Sequence, residues 1–127
     1  MATVNLTGDT FWDTVRGNDI VLVDFWAEWC GPCKRFAPVF ERVSEQHPDI
    51  VFGKVDTEAE QALASAARIL SIPTLFVFRE GVCLLAQPGA IPEGHLADLI
   101  RQVRKIDMVD LRRRIAEEDA APKTPRD

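Results

Sequence analysis

A run of seven residues, Ile20 to Trp26 (IVLVDFW), is apolar on both alternating faces except at Asp24. A strand with one face in water alternates polar and apolar residues, whereas a strand covered on both faces is apolar throughout. The run therefore predicts a central strand with helices packed on both sides. An aspartate inside such a strand is removed from water, which raises the question of what it does there.

The rest of the chain alternates between strand-like and helix-like patterns. The predicted strands are 4–6, 20–26, 50–56, 74–79 and 82–86, and the predicted helices run from Thr7 to 17, 30 to 47, 58 to 70 and 92 to 106. A tight Glu80-Gly81 turn joins the last two strands as an antiparallel hairpin. The order βαβαβ followed by αββα predicts an α/β fold, with a single mixed sheet of about five strands flanked by helices on both faces.

The length of 127 residues is enough for one domain with its own core. After Ile106 the composition becomes highly charged, although an apolar stripe persists at Met108, Leu111 and Ile115. We therefore expect residues 1–106 to form the domain and 107–127 to form a C-terminal helical extension. The extension is predicted to be a short amphipathic helix followed by a frayed tail from Ala120.

Charge and composition restrict the classes of partner. The net charge of −5 argues against nucleic-acid binding, which needs clustered Lys and Arg. No apolar run is long enough to cross a bilayer, and the N-terminus does not resemble a secretory signal. Three cysteines are few, and an odd number, for a secreted disulfide framework. We therefore expect a cytoplasmic protein that binds neither nucleic acid nor membrane.

Two cysteines lie three residues apart in Cys30-Gly31-Pro32-Cys33. A structural zinc site needs four ligands, but Cys83 stands alone and neither His47 nor His95 has metal-ligand spacing. A structural crosslink over so small a loop would remove little chain entropy. A redox role remains the best interpretation, and we expect no bound metal.

A helix that begins at Cys30 would support this redox role. The helix dipole and free N–H groups at its N-terminus stabilise a thiolate there. Cys33 would lie one turn further on the same face, close enough to form a disulfide. Pro32 fits the first turn, where a missing N–H costs nothing. We therefore expect Cys30 to be accessible and acidic and Cys33 to be shielded.

These residues resemble the thioredoxin family. The segment from Val23 to Lys34 (VDFWAEWCGPCK) is similar to its active-site segment, and Ile72-Pro73-Thr74 is similar to its second signature, whose proline is cis and faces the cysteines. Pro88-Gly89-Ala90 resembles its third, substrate-facing segment, and Lys54 matches a lysine held near the buried aspartate. The resemblance runs from about Leu6 to Ile106 and implies the thioredoxin fold.

The resemblance also implies an activity, namely protein disulfide reduction. Cys30 would attack a target disulfide and Cys33 would resolve the mixed disulfide, with Asp24 accepting the proton of Cys33. Burial should raise the pKa of Asp24, and Lys54 should moderate that shift. The substrate-binding residues implied are Trp29, Gly31, Pro32, Ile72, Pro73, Gly89 and Ala90.

The implied partners are disulfide-containing target proteins and a thioredoxin reductase that supplies electrons from NADPH. No cofactor would be bound by the chain itself, and we expect a monomer. Two alternatives stay open: a non-catalytic thioredoxin-like binding module, and a disulfide oxidase or isomerase of the secretory space. Cys83, which lies in an apolar strand, is expected to be a small buried hydrophobic residue rather than a regulatory or dimer-forming thiol.

Overall fold

The computed structural model describes residues 2–120. Its ten elements follow the predicted order: β1 Thr3–Asn5, α1 Phe11–Gly17, β2 Ile20–Trp26, α2 Gly31–Gln46, β3 Val51–Asp56, α3 Gln61–Ala66, β4 Thr74–Arg79, β5 Val82–Pro88, α4 Glu93–Lys105 and α5 Met108–Ala120. The predicted alternation of strands and helices is confirmed.

The five strands form one mixed sheet in the order β1-β3-β2-β4-β5. Strands β1, β3 and β2 are parallel, whereas β4 is antiparallel to β2 and β5 is antiparallel to β4. The apolar strand β2 is therefore central, as its composition predicts. The carboxyl ends of β2 and β3 lie at the same edge of the sheet.

Helices cover both faces of the sheet, as predicted. Alternate residues of β2 belong to two separate hydrophobic clusters, one on each face. Ile20 and Leu22 pack with residues of α2 and α4, including Phe36 and Leu96. The other cluster contains three further residues of β2 together with residues of α1 and α3: Val21, Val23, Phe25, Phe11, Val15 and Leu63.

Helices α2 and α4 match the predicted bounds to within one residue, whereas α1 and α3 differ by more. Helix α1 begins at Phe11, because residues 8–10 form a turn in which the hydroxyl of Thr10 accepts a hydrogen bond from the N–H of Thr7. Helix α3 is much shorter than the predicted 58–70. Its alanine content favours a helix, but Arg68 adopts a left-handed conformation (φ 56°) that ends it.

The expectation that Cys83 is buried was wrong, because this free cysteine is exposed. Strand β5 is the outermost strand on its side of the sheet. The helices cover the centre of the sheet more completely than this edge, and β5 has no fully buried residue. The short apolar run of β5 therefore did not show that this strand lies at the edge of the sheet, where its residues are only partly covered.

Helix α5 confirms the predicted helix after Ile106, and it is attached to the domain at two points. Met108 is buried, and the guanidinium of Arg112 lies 2.9 Å from the carboxylate of Glu80 in the β4–β5 turn. Arg79 also donates a hydrogen bond of 2.7 Å to the carbonyl of Ile106. These contacts lie at the Arg79 end of β4, whereas Thr74 begins the strand at its other end. The predicted frayed tail falls largely on residues 121–127, outside the described part of the chain.

Candidate functional site

The cysteine pair lies where the chain leaves the carboxyl end of β2 and enters α2. Cys30 is the N-cap of α2, with an extended backbone (φ −88°, ψ 111°), and the helix itself begins at Gly31. Pro32 occupies the first turn, where its missing N–H removes no helical hydrogen bond. The local sequence thus places the sulfur of Cys30 at the positive end of the helix dipole.

Cys30 and Cys33 form a disulfide, with their Cα atoms 5.2 Å apart. The backbone N–H of Cys33 also donates a hydrogen bond of 3.2 Å to the sulfur of Cys30. An N–H group in this position stabilises negative charge on that sulfur once the disulfide is reduced.

The two cysteines do not differ in exposure, contrary to the expectation that Cys30 is accessible. Cys30 is 3% exposed and Cys33 is 2% exposed. The carbonyl oxygen of Ile72 lies 3.6 Å from the sulfur of Cys30, so the neighbouring loop covers much of this residue. The two residues differ instead in the hollows that they border.

Cys30 borders an open surface hollow of about 410 Å³, which we call the outer hollow. It is lined by Trp29, Cys30, Gly31, Pro32, Thr57, Ala64, Ile69, Leu70, Ser71 and Ile72. The indole of Trp29 is 70% exposed, and its N–H donates a hydrogen bond of 2.7 Å to the carboxylate of Glu58. This bond fixes a large aromatic ring beside Cys30.

The second and third segments implied by the resemblance meet beside the cysteines. The Ile72–Pro73 peptide bond is cis, as the resemblance implies. The N–H of Gly89 donates a hydrogen bond of 2.8 Å to the carbonyl of Pro73. Gly89 has a φ of +89°, a conformation that favours glycine. Ala90 is exposed and does not line the outer hollow.

Asp24 and Lys54 are paired across the neighbouring strands β2 and β3. Asp24 is completely buried, and neither of its carboxyl oxygens has a hydrogen-bond partner among residues 2–120. Burial raises the pKa of Asp24 to about 7, and the positive charge of Lys54 opposes the rise. The prediction from sequence is confirmed in both respects: burial raises the pKa of Asp24, and Lys54 moderates the rise.

A second, smaller hollow of about 200 Å³ adjoins Cys33, and we call it the inner hollow. Lys54 and Trp26 line it as well, and the Lys54 ammonium lies 5.0 Å from the centre of the Trp26 ring. Alternation along β2 places Asp24 on the same side as Leu22, which is the side covered by α2. Cys33 and Asp24 therefore lie on the same side of the sheet.

Several residues that line the outer hollow were not predicted: Thr57, Ala64, Ile69, Leu70 and Ser71. Three of them immediately precede Ile72-Pro73, and this adjacency was the available signal. Thr57 and Ala64 come from the segment after β3, which reaches the hollow only through the parallel pairing of β2 and β3.

Between residues 2 and 120, no group of three or more His, Cys, Asp or Glu side chains is placed to hold a metal ion. Within the same range, no helix is long and apolar enough to cross a membrane.

Known sequences show which family the chain belongs to. The thioredoxin family model matches residues 2–102. Putative thioredoxin 2 of Streptomyces coelicolor is 57% identical over 119 residues, which cover 94% of this chain and 89% of the relative. A thioredoxin of Alicyclobacillus acidocaldarius is 39% identical over 105 residues, covering 79% of this chain and 100% of the relative.

Comparison with solved structures agrees. A mutant thioredoxin from Halobacterium salinarum superposes with a TM-score of 0.76 at 38% identity, covering 83% of this chain and 93% of the other. A thioredoxin of Plasmodium falciparum gives a TM-score of 0.72 at 35% identity, covering 79% and 97%. With its disulfide-linked Cys30 and Cys33, the chain therefore belongs to the thioredoxin family and is a protein thiol–disulfide oxidoreductase.

Proposed function

We propose that the protein works as a disulfide reductase in which Cys30 attacks the target and Cys33 resolves the intermediate. One observation carries this assignment: the sulfur of Cys30 caps α2, accepts the N–H of Cys33 and borders the outer hollow. Cys33 lies within the helix and borders the inner hollow instead. A target segment in the outer hollow would therefore meet Cys30 first.

The proposed reaction has two exchange steps. The thiolate of Cys30 attacks one sulfur of a target disulfide, the target S–S bond breaks, and one target thiolate leaves. The thiolate of Cys33 then attacks Cys30 in the mixed disulfide and displaces the second target sulfur. Two electrons and two protons pass to the target, and Cys30 and Cys33 end in the disulfide of the present structure.

Asp24 is proposed as the group that accepts the proton of Cys33 before the second step. A carboxylate with a pKa of about 7 is a much stronger base near neutral pH than an exposed aspartate. Its position on the α2 side of β2 supports this role. Lys54 would keep the carboxylate available as a base by limiting the rise in its pKa.

Targets are proposed to bind as an extended segment over the outer hollow. Trp29, Gly31, Pro32 and Ile72 line it, and they provide mostly apolar contact area around Cys30. Pro73, Gly89 and Ala90 would present backbone to the segment beside the cysteines. The hydrogen bond between Gly89 and Pro73 supports this, because it holds two of the three residues in a fixed arrangement.

The oxidised protein is proposed to be recycled by a thioredoxin reductase that uses NADPH, with no cofactor bound by the chain itself. Membership of the thioredoxin family supports this route. We further propose that the protein is a cytoplasmic monomer. The small number of cysteines and the Gly31-Pro32 dipeptide, similar to that of reducing family members, favour that compartment.

A reduction assay with insulin tests the proposed activity. The wild-type protein, with dithiothreitol as electron donor, should accelerate reduction of the interchain disulfides of insulin well above the rate with dithiothreitol alone. The Cys30→Ser variant should lose this acceleration while remaining folded. A wild-type rate equal to the uncatalysed rate would indicate a binding module instead. A reduction potential far above about −270 mV would indicate an oxidase.

A further inference from the structure

Leu70 is the most exposed large apolar side chain among the described residues, at 97%. A single exposed leucine is ordinary on a protein surface. This one, however, lies on the border of the outer hollow, which also contains the 70% exposed Trp29 and the sulfur-bearing residue Cys30. Two large, exposed apolar side chains thus border the same hollow as the reactive cysteine.

The backbone around Leu70 is held in place on both sides. The N–H of Arg68 donates to the carbonyl of Ser65 (3.0 Å), and that of Ile69 donates to the carbonyl of Ala64 (3.1 Å). On the other side, the hydroxyl of Thr74 donates a bond of 2.7 Å to the carbonyl of Ser71. Leu70 is therefore presented to solvent by a fixed loop. Because the loop is already ordered, the free energy of binding a target is not reduced by the entropy of ordering it.

The chemistry of the outer hollow limits what can fill it. None of its ten lining residues is charged, and Pro32, Ile69 and Ile72 add further apolar surface. Ile69 packs partly against the hydrophobic cluster beneath the loop. Leu70 is not packed in this way, so its side chain is free to contact a partner. A charged target residue placed against Leu70 would lose water, and no lining residue offers it an opposite charge. The carboxylate of Glu58, beside Trp29, already accepts the indole N–H. A bulky apolar residue would bury its own surface and that of Leu70.

We propose that Leu70 selects targets in which a bulky apolar residue lies beside the cysteine attacked by Cys30. The inference rests on the proposed function, since it concerns which disulfides that reaction prefers. The occupant is an extended segment of a disulfide-containing protein, with its cysteine at Cys30 and its apolar neighbour against Leu70 and Trp29.

Two peptides with an internal disulfide test the proposal. They are identical except that Phe or Ser follows the attacked cysteine, and kcat/KM is measured for each with wild type and with Leu70→Ser. Comparing variant with wild type on the same peptide cancels the intrinsic reactivity of its disulfide. Val109→Ser is the matched control, because Val109 is 80% exposed on α5 at the far end of the domain. Oxidised glutathione serves as a small substrate.

Leu70→Ser should lower kcat/KM about fivefold for the Phe peptide, which corresponds to about 1 kcal/mol. It should change the Ser peptide and glutathione less than twofold, and Val109→Ser should change none of the three. Thermal unfolding should be unaltered, because Leu70 is exposed. An equal loss on both peptides, or no loss on either, would overturn the role of Leu70 and leave the reductase intact. A wild type that reduces neither peptide would overturn both proposals.

Discussion

Asp24 on β2 lies directly across from Lys54 on the parallel strand β3, and its buried carboxyl has no hydrogen-bond partner among residues 2–120. Its pKa is raised from 3.8 to about 7, mainly by burial, and the nearby Lys54 limits the rise. Because the folded value lies above the unfolded one, the contribution of Asp24 to stability is fully present below about pH 4. It is lost as the pH rises through about 7.

Replacing Asp24 with Asn should make the protein more stable at neutral pH and slower as a reductase. The difference between 3.8 and about 7 corresponds to roughly 4 kcal/mol, at about 1.4 kcal/mol per pH unit. The free energy of unfolding of Asp24→Asn, minus that of wild type, should grow from pH 4 to pH 7 and level off above about pH 8. Urea unfolding at a series of pH values measures it.

Asp9→Asn provides the control, because it makes the same chemical change at an exposed position. An Asp24→Asn variant with the wild-type pH dependence would mean that Asp24 does not titrate in the predicted range. An unchanged rate of insulin reduction at pH 7 would remove Asp24 from the chemistry.

Lys54→Gln should raise the pKa of Asp24 above about 7, because the opposing positive charge is removed. The fall in stability that Asp24 causes should then extend to higher pH than in wild type. The measurement is again the unfolding free energy against pH, now with the double variant Lys54→Gln/Asp24→Asn as reference. If the fall ends at the same pH as in wild type, Lys54 does not act on Asp24 through its charge.

Arg68→Gly should stabilise the protein by roughly 0.5–1 kcal/mol. Arg68 has a φ of 56°, a conformation that costs a residue with a side chain more than it costs glycine. Glycine has more conformational entropy in the unfolded chain than arginine, and this offsets part of the gain in stability. Chemical denaturation measures the change. Ser65→Gly, inside α3, should instead destabilise by about 0.5 kcal/mol, and a loss of stability in Arg68→Gly would contradict the explanation.

Truncation after Ile106 should leave disulfide reduction nearly unchanged, because α5 contacts the end of β4 remote from Thr74 and the cysteines. Loss of the buried side chain of Met108 should lower stability by about 1–3 kcal/mol. Insulin reduction and thermal unfolding of the truncated chain measure the two effects. A large fall in turnover would show that the extension recruits targets.

Local patterns predicted those parts of the fold that depend on burial on both faces or on a tight turn. Strand β2 was predicted to the residue because its apolar run is bounded by polar positions on one side and by the cysteine segment on the other. The length of α3 was not predictable, since it depends on the left-handed backbone of Arg68, a residue type with no turn preference. The exposure of Cys83 depends on strand order, which its own sequence does not contain.

In the site, the cysteine pair and the raised pKa of Asp24 followed from sequence, because the signal for each lies within a few residues along the chain: the short spacing of the cysteines and the apolar run around Asp24. The equal burial of Cys30 and Cys33 did not, since the cover over Cys30 comes from Ile72, which is 42 positions away. Leu70 was missed for a similar reason: only the folded loop shows that its side chain points away from the core.

The most direct test of the central claim is covalent trapping of a target protein by variants in which Cys30 or Cys33 is replaced by serine. Each variant also carries Cys83→Ser, because Cys83 is an exposed thiol that could trap target by itself. Each variant is reduced, mixed with an oxidised protein that carries one accessible disulfide, quenched with acid and analysed by mass spectrometry. If Cys30 attacks and Cys33 resolves, Cys33→Ser should accumulate the mixed disulfide through Cys30, because nothing remains to release the target. Cys30→Ser should trap little. Equal trapping by both variants, or preferential trapping by Cys30→Ser, would contradict the assignment.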